Sequence, residues 1–240
     1  RLSGIPRPNV YDALRSLREK GLVADLGESG FVPLPPEELL ARLRHRYETK
    51  LSVLEDKLKA VSEPPSYDYV WTITGYQDVI SKARQMIGSA EEEIYVLLYP
   101  EEGLLLDEHL RAAEARGVEV KYVSMGRPSS LFRRQVVHPG VDRIKEAQGG
   151  RVFDLIRDSQ EILVGLFEFG REDRSPINWA KNHWFVTAIR EYVRHDFFHY
   201  FLHKTYDLKQ ELTPEESELY ALIKKDAWNE RIGRRKADGP

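Results

Sequence analysis

Three histidines, His195, His199 and His203, recur every four residues within RHDFFHYFLHK. At that spacing they stack along one face of a helix. Neighbouring imidazoles four residues apart can chelate Zn²⁺ or Ni²⁺. A helix cannot bring three stacked rings onto one tetrahedral ion, so a metal would need a further ligand from elsewhere, His183 or His138 being available. Val193, Phe197, Tyr200 and Phe201 occupy much of the remaining surface, which puts the stripe beside a core or an interface. The plainer reading is satisfied or solvent-facing histidines, and no metal or cofactor is assigned. A second group lies near the start of the chain. Asn9 can read an adenine edge, and Arg7 or Arg15 a guanine edge or a phosphate. Ser3 and Tyr11 can hold phosphate oxygens. With Pro8, Arg18 and Ser29 they make a candidate DNA-reading set.

These side chains need elements to hold them. Val10, Ala13, Leu14 and Leu17 fall at helical spacing and mark a buried face. Pro8, Asp12, Arg15 and Glu19 point the other way. Gly21 ends that helix. Residues 22–26 and 31–34 then read as two short strands joined by Gly27-Glu28-Ser29-Gly30, a hairpin. Helix, Gly-Leu-Val and hairpin in that order is the layout of a winged helix-turn-helix, with its recognition helix in the major groove. A small helical domain that binds protein is the competing reading, favoured by Asp12 and Glu19 on the outward face.

Residues 37–63 follow between Pro35-Pro36 and Pro64-Pro65. Leu40, Tyr47, Leu54 and Val61 repeat every seven residues, with Leu51 and Leu58 between them and Arg44 as the charged exception. That is an a/d seam, which predicts a coiled-coil rod of roughly 33 Å pairing with a second copy of itself. A helix lying on its own domain is the alternative. Beyond it, residues 69–73, 93–99 (EIYVLLY) and 118–123 read as strands alternating with helices over 75–90 and 104–116. Residues 151–156 and 161–169 read as a hairpin and 182–206 as one long helix, which together give a layered α/β domain over 67–206. In the tail, 207–240, Thr213-Pro214-Glu215-Glu216 is a capping box that starts a short amphipathic helix. Its apolar side, Leu219, Leu222 and Ile223, is expected to pack on the protein's own dimer, and the basic end from Arg231 is expected to be disordered.

The composition narrows the classes. The chain has 240 residues, 41% hydrophobic and 31% charged, with a net charge of −3 and no cysteine. No overall basicity draws it to nucleic acid, so such contact must come from a local patch. Disulfides and thiolate metal sites are excluded. No apolar run has the length of a membrane span and no signal peptide is visible, so the expected location is cytoplasmic.

SGIPRPNVYDALRSLREKGLV, followed by a hairpin and PPEELLARL, resembles the N-terminal domain of the TrmB family, sugar-responsive transcriptional regulators of archaea and bacteria. The family's recognition helix carries a Val-Tyr pair, matched by Val10-Tyr11. It ends in Lys-Gly-Leu-Val, matched by Lys20 to Val23, and a Pro-rich joint enters a coiled-coil helix. The helices that come before such a turn have no counterpart ahead of Ser3, so the natural N-terminus is expected upstream of Arg1. The Arg-Val-x-Asp strand, the hairpin and an Asn before the long helix resemble the TrmB effector domain, which is related in fold to phospholipase D. The fold expected is therefore an α+β winged helix truncated at its start, a helical coiled-coil spacer, and an α/β phospholipase-D-like effector domain. Enzymes of that relationship need His-x-Lys-x4-Asp, whose His is the nucleophile. None of the seven histidines has Lys two positions later, so no catalytic residue is assigned.

The resemblance implies a small-molecule effector, and a sugar fits the aromatic and polar residues available. Its default place is the crevice at the carboxyl ends of the strands. The candidates there are Tyr99, Glu101, Ser124, Met125 and Arg127, with a loop bearing Asn178, Trp179, Asn182 and His183. The reading is a homodimeric, DNA-binding, effector-responsive regulator. Its rivals are a DNA-coating architectural protein that tolerates any sequence and, further off, a phosphodiesterase-like hydrolase.

Overall fold

The computed structural model describes residues 7–27, 30–61 and 69–226, side chains of residues 7–9, 60 and 61 excepted. The chain divides into two compact units, residues 1–65 and 66–240.

In the first unit, helix α1 (Arg7–Glu19) stops at Gly21, whose φ of +67° is the left-handed geometry that closes a helix. The Gly21 and Leu22 amides donate to the Arg18 and Leu17 carbonyls at 2.9 and 2.8 Å. Strands β1 (Val23–Asp25) and β2 (Phe31–Pro33) pair antiparallel with Ala24 opposite Val32. On α1, Val10 and Leu14 are half-buried, whereas Ala13 and Leu17 are exposed. Helix α2 (Pro36–Val61) runs 26 residues, about 39 Å at 1.5 Å per residue. Leu40, Tyr47, Leu51, Leu54 and Leu58 on it are each more than half exposed in the single chain. Val61 closes the helix, and its side chain lies outside the described residues.

The second unit is a seven-stranded sheet in the order β3-β9-β8-β7-β4-β5-β6. Its strands are β3 (Val70–Ile73), β4 (Glu93–Leu98), β5 (Glu119–Ser124), β6 (Arg134–Val137), β7 (Gly150–Arg157), β8 (Glu161–Glu168) and β9 (Ile177–Ala180). β4, β5 and β6 are parallel, while β7, β8, β9 and β3 alternate antiparallel away from β4. β4 is central and buried along its whole length, as its unbroken apolar sequence requires.

Ile94, Val96 and Leu98 face the core under α3 (Tyr76–Gly88) and α4 (Pro100–Ala115). Tyr95, Leu97 and Tyr99 face the other core, under α5 (Val141–Gln148), α6 (His183–Leu202) and α7 (Pro214–Lys225). At Gly165 on β8 a Cβ would come within 2.7 Å of Ile177 Cδ1, so glycine there lets β9 pack against β8.

Three elements went unanticipated: β6, α5 and β9. The predicted single helix over 182–206 is α6 with Asn182 as its cap, followed by a π-helical turn, His203–Asp207. The capping box at Thr213 and Glu216 forms as expected. Leu219 and Ile223 are buried against α6 in the same chain, and Tyr220 stacks edge-on with Phe198 and Phe201. The tail helix is thus part of the second unit's own core. The basic end from Arg231 lies outside the described residues.

Candidate effector pocket

A cavity of about 240 Å³ opens where β4, β5 and β6 end beneath α6. Leu97, Met125, Val152 and Ile144 form its apolar wall; His138, Gln148, Tyr192, Asp196 and His199 supply its polar groups. β6 positions His138, whose amide donates to the Ser124 carbonyl at 2.9 Å and so extends the β5–β6 ladder by one residue. α5 supplies Gln148 from its last position, and α6 positions Tyr192, Asp196 and His199 from above. Asp196 and His199 are three apart and so share a face of that helix. Nδ1 of His199 lies 3.1 Å from Nε2 of His138, with the rings edge to face. The same Nε2 is 3.5 Å from an Asp196 carboxylate oxygen.

Asp154 sits one step deeper. It pairs across the ladder with Leu97 and lies two residues from Val152 on the same strand, so its side chain shares their face. It is 4% exposed and its Oδ2 has no hydrogen-bond partner. Burial, with Asp196 adding to it, pushes this carboxyl up to about 8. The Tyr99 hydroxyl and His138 Nδ1 are likewise buried without partners. Burial and then the Asp196 charge push Tyr192 up to about 12. Buried polar groups left unbonded are rare and call for a reason. Three meet at this end of the sheet.

A larger, open cavity of about 810 Å³ lies by Tyr76, Arg151 and Arg174. Two of its polar groups are already engaged: Arg151 donates to the buried Glu102 at 3.0 Å, and so does the Tyr76 hydroxyl at 3.1 Å.

The predicted effector residues separate into two sets. Tyr99 and Met125 lie at the pocket end, on the α6 face. Glu101 stands at that end in an ion pair with Lys145 of α5 at 3.0 Å, and Arg127 is exposed in the loop after β5. Ser124 turns to its own loop, donating to the Gly126 carbonyl at 2.9 Å. Trp179, Asn182 and His183 do not join them. β9 runs antiparallel to β4, so its carboxyl end points to the opposite edge of the sheet. Trp179 moreover faces the α3 side, where its Nε1 donates to Glu161 at 2.6 Å and Lys82 lies 4.1 Å above its ring. Asn178 accepts from Thr72 at 3.2 Å. Asn182 caps α6, accepting from the Phe185 amide at 3.0 Å. His183 is the exposed first residue of that helix.

The histidine stripe also divides. His199 joins the pocket, His203 meets Asp207 at 2.8 Å, and His195 lies tilted against Phe198, ring centres 6.4 Å apart. Asp196, Asp154 and Tyr192 were missed. Asp196 sat unnoticed inside the histidine motif, and the single acid in the apolar run RVFDLI was the available signal for Asp154.

In the first unit, Tyr11 is exposed on α1, Arg15 lies 3.8 Å from Asp12, and Arg18 donates to Asp25 of the hairpin at 3.2 Å. Arg7, Pro8 and Asn9 form the first turn of α1. Their side chains, and all of Ser3 and Ser29, lie outside the described residues. Among the described residues no helix is long and apolar enough to cross a membrane.

Residues 69–207 match the family model described as transcriptional regulator TrmB, EBD N-terminal subdomain. The uncharacterized protein YrhO of Bacillus subtilis is 26% identical over 199 residues, covering 82% of this chain and 72% of that protein. The putative HTH-type transcriptional regulator TrmBL2 of Pyrococcus furiosus is 28% identical over 218 residues, 79% of this chain and 80% of that one. A solved structure of TrmBL2, described as an archaeal chromatin protein with a novel mode of DNA binding, superposes with a TM-score of 0.39 at 20% identity, over 81% of this chain and 82% of that chain. With more than half of its residues matched by the family model, the chain belongs to the TrmB family of transcriptional regulators.

Proposed function

We propose that the protein is a homodimeric DNA-binding transcriptional regulator whose C-terminal domain senses a small ligand in the pocket beneath α6. The observation that carries the reading is α2. Its heptad residues Leu40, Tyr47, Leu51 and Leu54 expose an apolar seam along a helix of 26 residues, and such a seam is buried most economically against a second copy. α1 and the β1–β2 hairpin supply the reading head, with Asn9, Arg7, Arg15 and Tyr11 for base edges and phosphates. Two heads on one coil would enter successive major grooves, about 34 Å apart. TrmBL2 of Pyrococcus furiosus, named an HTH-type transcriptional regulator, supports this use of the head. A ligand changes the output only if it binds the DNA-competent and incompetent states with different affinity.

The test is a mobility-shift titration on palindromic and scrambled duplexes, with and without candidate effectors. A Leu54→Asp/Leu58→Asp variant should sediment as a monomer and lose most of its operator affinity. Retained dimerisation with unchanged affinity refutes the spacer, and equal affinity for every duplex favours an architectural DNA-coating role.

A further inference from the structure

The pocket's polar groups have a common character. Two carboxyls, Asp154 and Asp196, stand beside two imidazoles, and no Lys or Arg is among the lining residues. Such a site offers lone pairs to a cation. At about 240 Å³ it also falls below the roughly 300–1,000 Å³ usual for drug-sized organic ligands.

We propose that His138, Asp196 and His199 bind a divalent first-row transition cation of the Zn²⁺ class, with a water or small anion from the pocket as the fourth ligand. The distances fit. In a tetrahedral centre with bonds of about 2.0–2.1 Å, ligand atoms lie roughly 3.3 Å apart. Here the His138–His199 separation is 3.1 Å and the His138–Asp196 separation 3.5 Å, and all three ligand atoms lie within 4.8 Å of one another. Two imidazoles and one carboxylate with an open position form a donor set that imidazole-preferring metals take over Mg²⁺ or Ca²⁺.

Two further observations support the site. His138 is 6% exposed, is fixed by the β6 ladder, and keeps an unpartnered Nδ1. Asp154 adds an unbonded, buried oxygen on the same face of the sheet. The arrangement replaces the one suggested by four-residue spacing, because His195 and His203 turn to other partners. That this ion is the regulator's effector rests on the reading above; occupancy of the site does not.

The full chain, stripped with chelator, is titrated with Co²⁺ and followed by visible absorption. A tetrahedral site gives intense d–d bands that saturate at one ion per chain and that Zn²⁺ displaces. His138→Ala and His199→Ala should each weaken Co²⁺ binding by at least about a hundredfold, since loss of an outer-shell partner alone costs 10–100-fold. His195→Ala and His203→Ala should leave it unchanged. Absence of the bands in the wild-type chain overturns the site, as does their survival in His199→Ala, an exposed position whose loss spares the core. A parallel mobility shift separates the two claims. Bands with operator binding indifferent to Zn²⁺ keep the site and overturn its role as effector, whereas operator binding that responds to another ligand without bands overturns the site alone.

Discussion

Replacing Asp154 by Asn gives the sharpest test of how the pocket is built. Asp154 is buried on β7 with one oxygen unbonded, and its carboxyl is pushed from the ordinary 3.8 up to about 8, first by burial and then by Asp196. The folded state therefore holds a proton that the unfolded chain releases. Between these two values the native protein binds more protons than the unfolded one, so stability falls as pH rises. Each pH unit in that window is worth about 1.4 kcal/mol. Raising the pH from about 5 to about 7 should then cost the wild type ~2.5 kcal/mol relative to Asp154→Asn, whose amide does not titrate. Other carboxylates also titrate on the acid side, Asp226 from about 2 and Glu161 from below its usual range. They are common to both proteins and cancel in the difference. The assay is urea unfolding with chelator present, followed by tryptophan fluorescence at several pH values. If the stability difference between variant and wild type stays flat across that interval, Asp154 is ionised in the folded state and the account of the pocket fails.

Three further outcomes follow from other parts of the molecule. Lys121, 1% exposed, bridges Glu93 at 2.7 Å and also contacts Asp226; Lys121→Met should cost roughly 3 kcal/mol in denaturant unfolding, because it leaves two buried carboxylates to share Arg190. Thr213→Ala removes the capping box of α7 and should lower stability by about 1 kcal/mol, with amide exchange fastest in α7. Arg15→Ala on the outward face of α1 should weaken operator binding and reduce the salt slope of log K by about 1 if Arg15 meets a phosphate; an unchanged slope removes Arg15 from the backbone contacts.

Much of the fold was legible because local rules agreed with the global arrangement. EIYVLLY is apolar on both faces, and the strand it forms is covered on both faces. Gly21 and Thr213 end and begin helices where their chemistry requires. β9 was read as a loop because four residues, INWA, following Pro176 show no period of their own; its pairing with both β8 and β3 comes from the sheet around it. Strand direction decides which edge a loop occupies, and with β9 antiparallel to β4 the residues Trp179, Asn182 and His183 lie away from the end where β4 and β5 finish. The pocket itself was half visible. His138 could be named as a partner for the stripe on residue type, yet only the β5–β6 register brings it to His199. Asp196 was hidden between the histidines, and three-residue spacing on a helix was as valid a guide there as four.

Helix α6 carries both the pocket and a member of a buried ion cluster, and the energies of the two limit what a ligand can do. Tyr192, Asp196 and His199 line the cavity. Just two residues before Tyr192 on the same helix, Arg190 donates to Asp226 at 2.6 Å and lies 3.5 Å from Glu93. Tyr95 donates to the same Asp226 at 2.5 Å, so the middle of α6 is held to β4 and to the end of α7. Breaking such a buried pair costs roughly 3–5 kcal/mol, whereas coupling between regulatory sites is typically 1–3 kcal/mol. An occupant of the pocket therefore lacks the energy to slide α6 as a whole. The motion it can afford is a tilt about Arg190, greatest at the far end, where Thr205 bonds back to the Phe201 carbonyl at 2.8 Å and the helix loosens into the π turn at His203–Asp207. Lys204 ties that turn to Glu216 of α7 at 2.5 Å, so a tilt of α6 must be carried into α7.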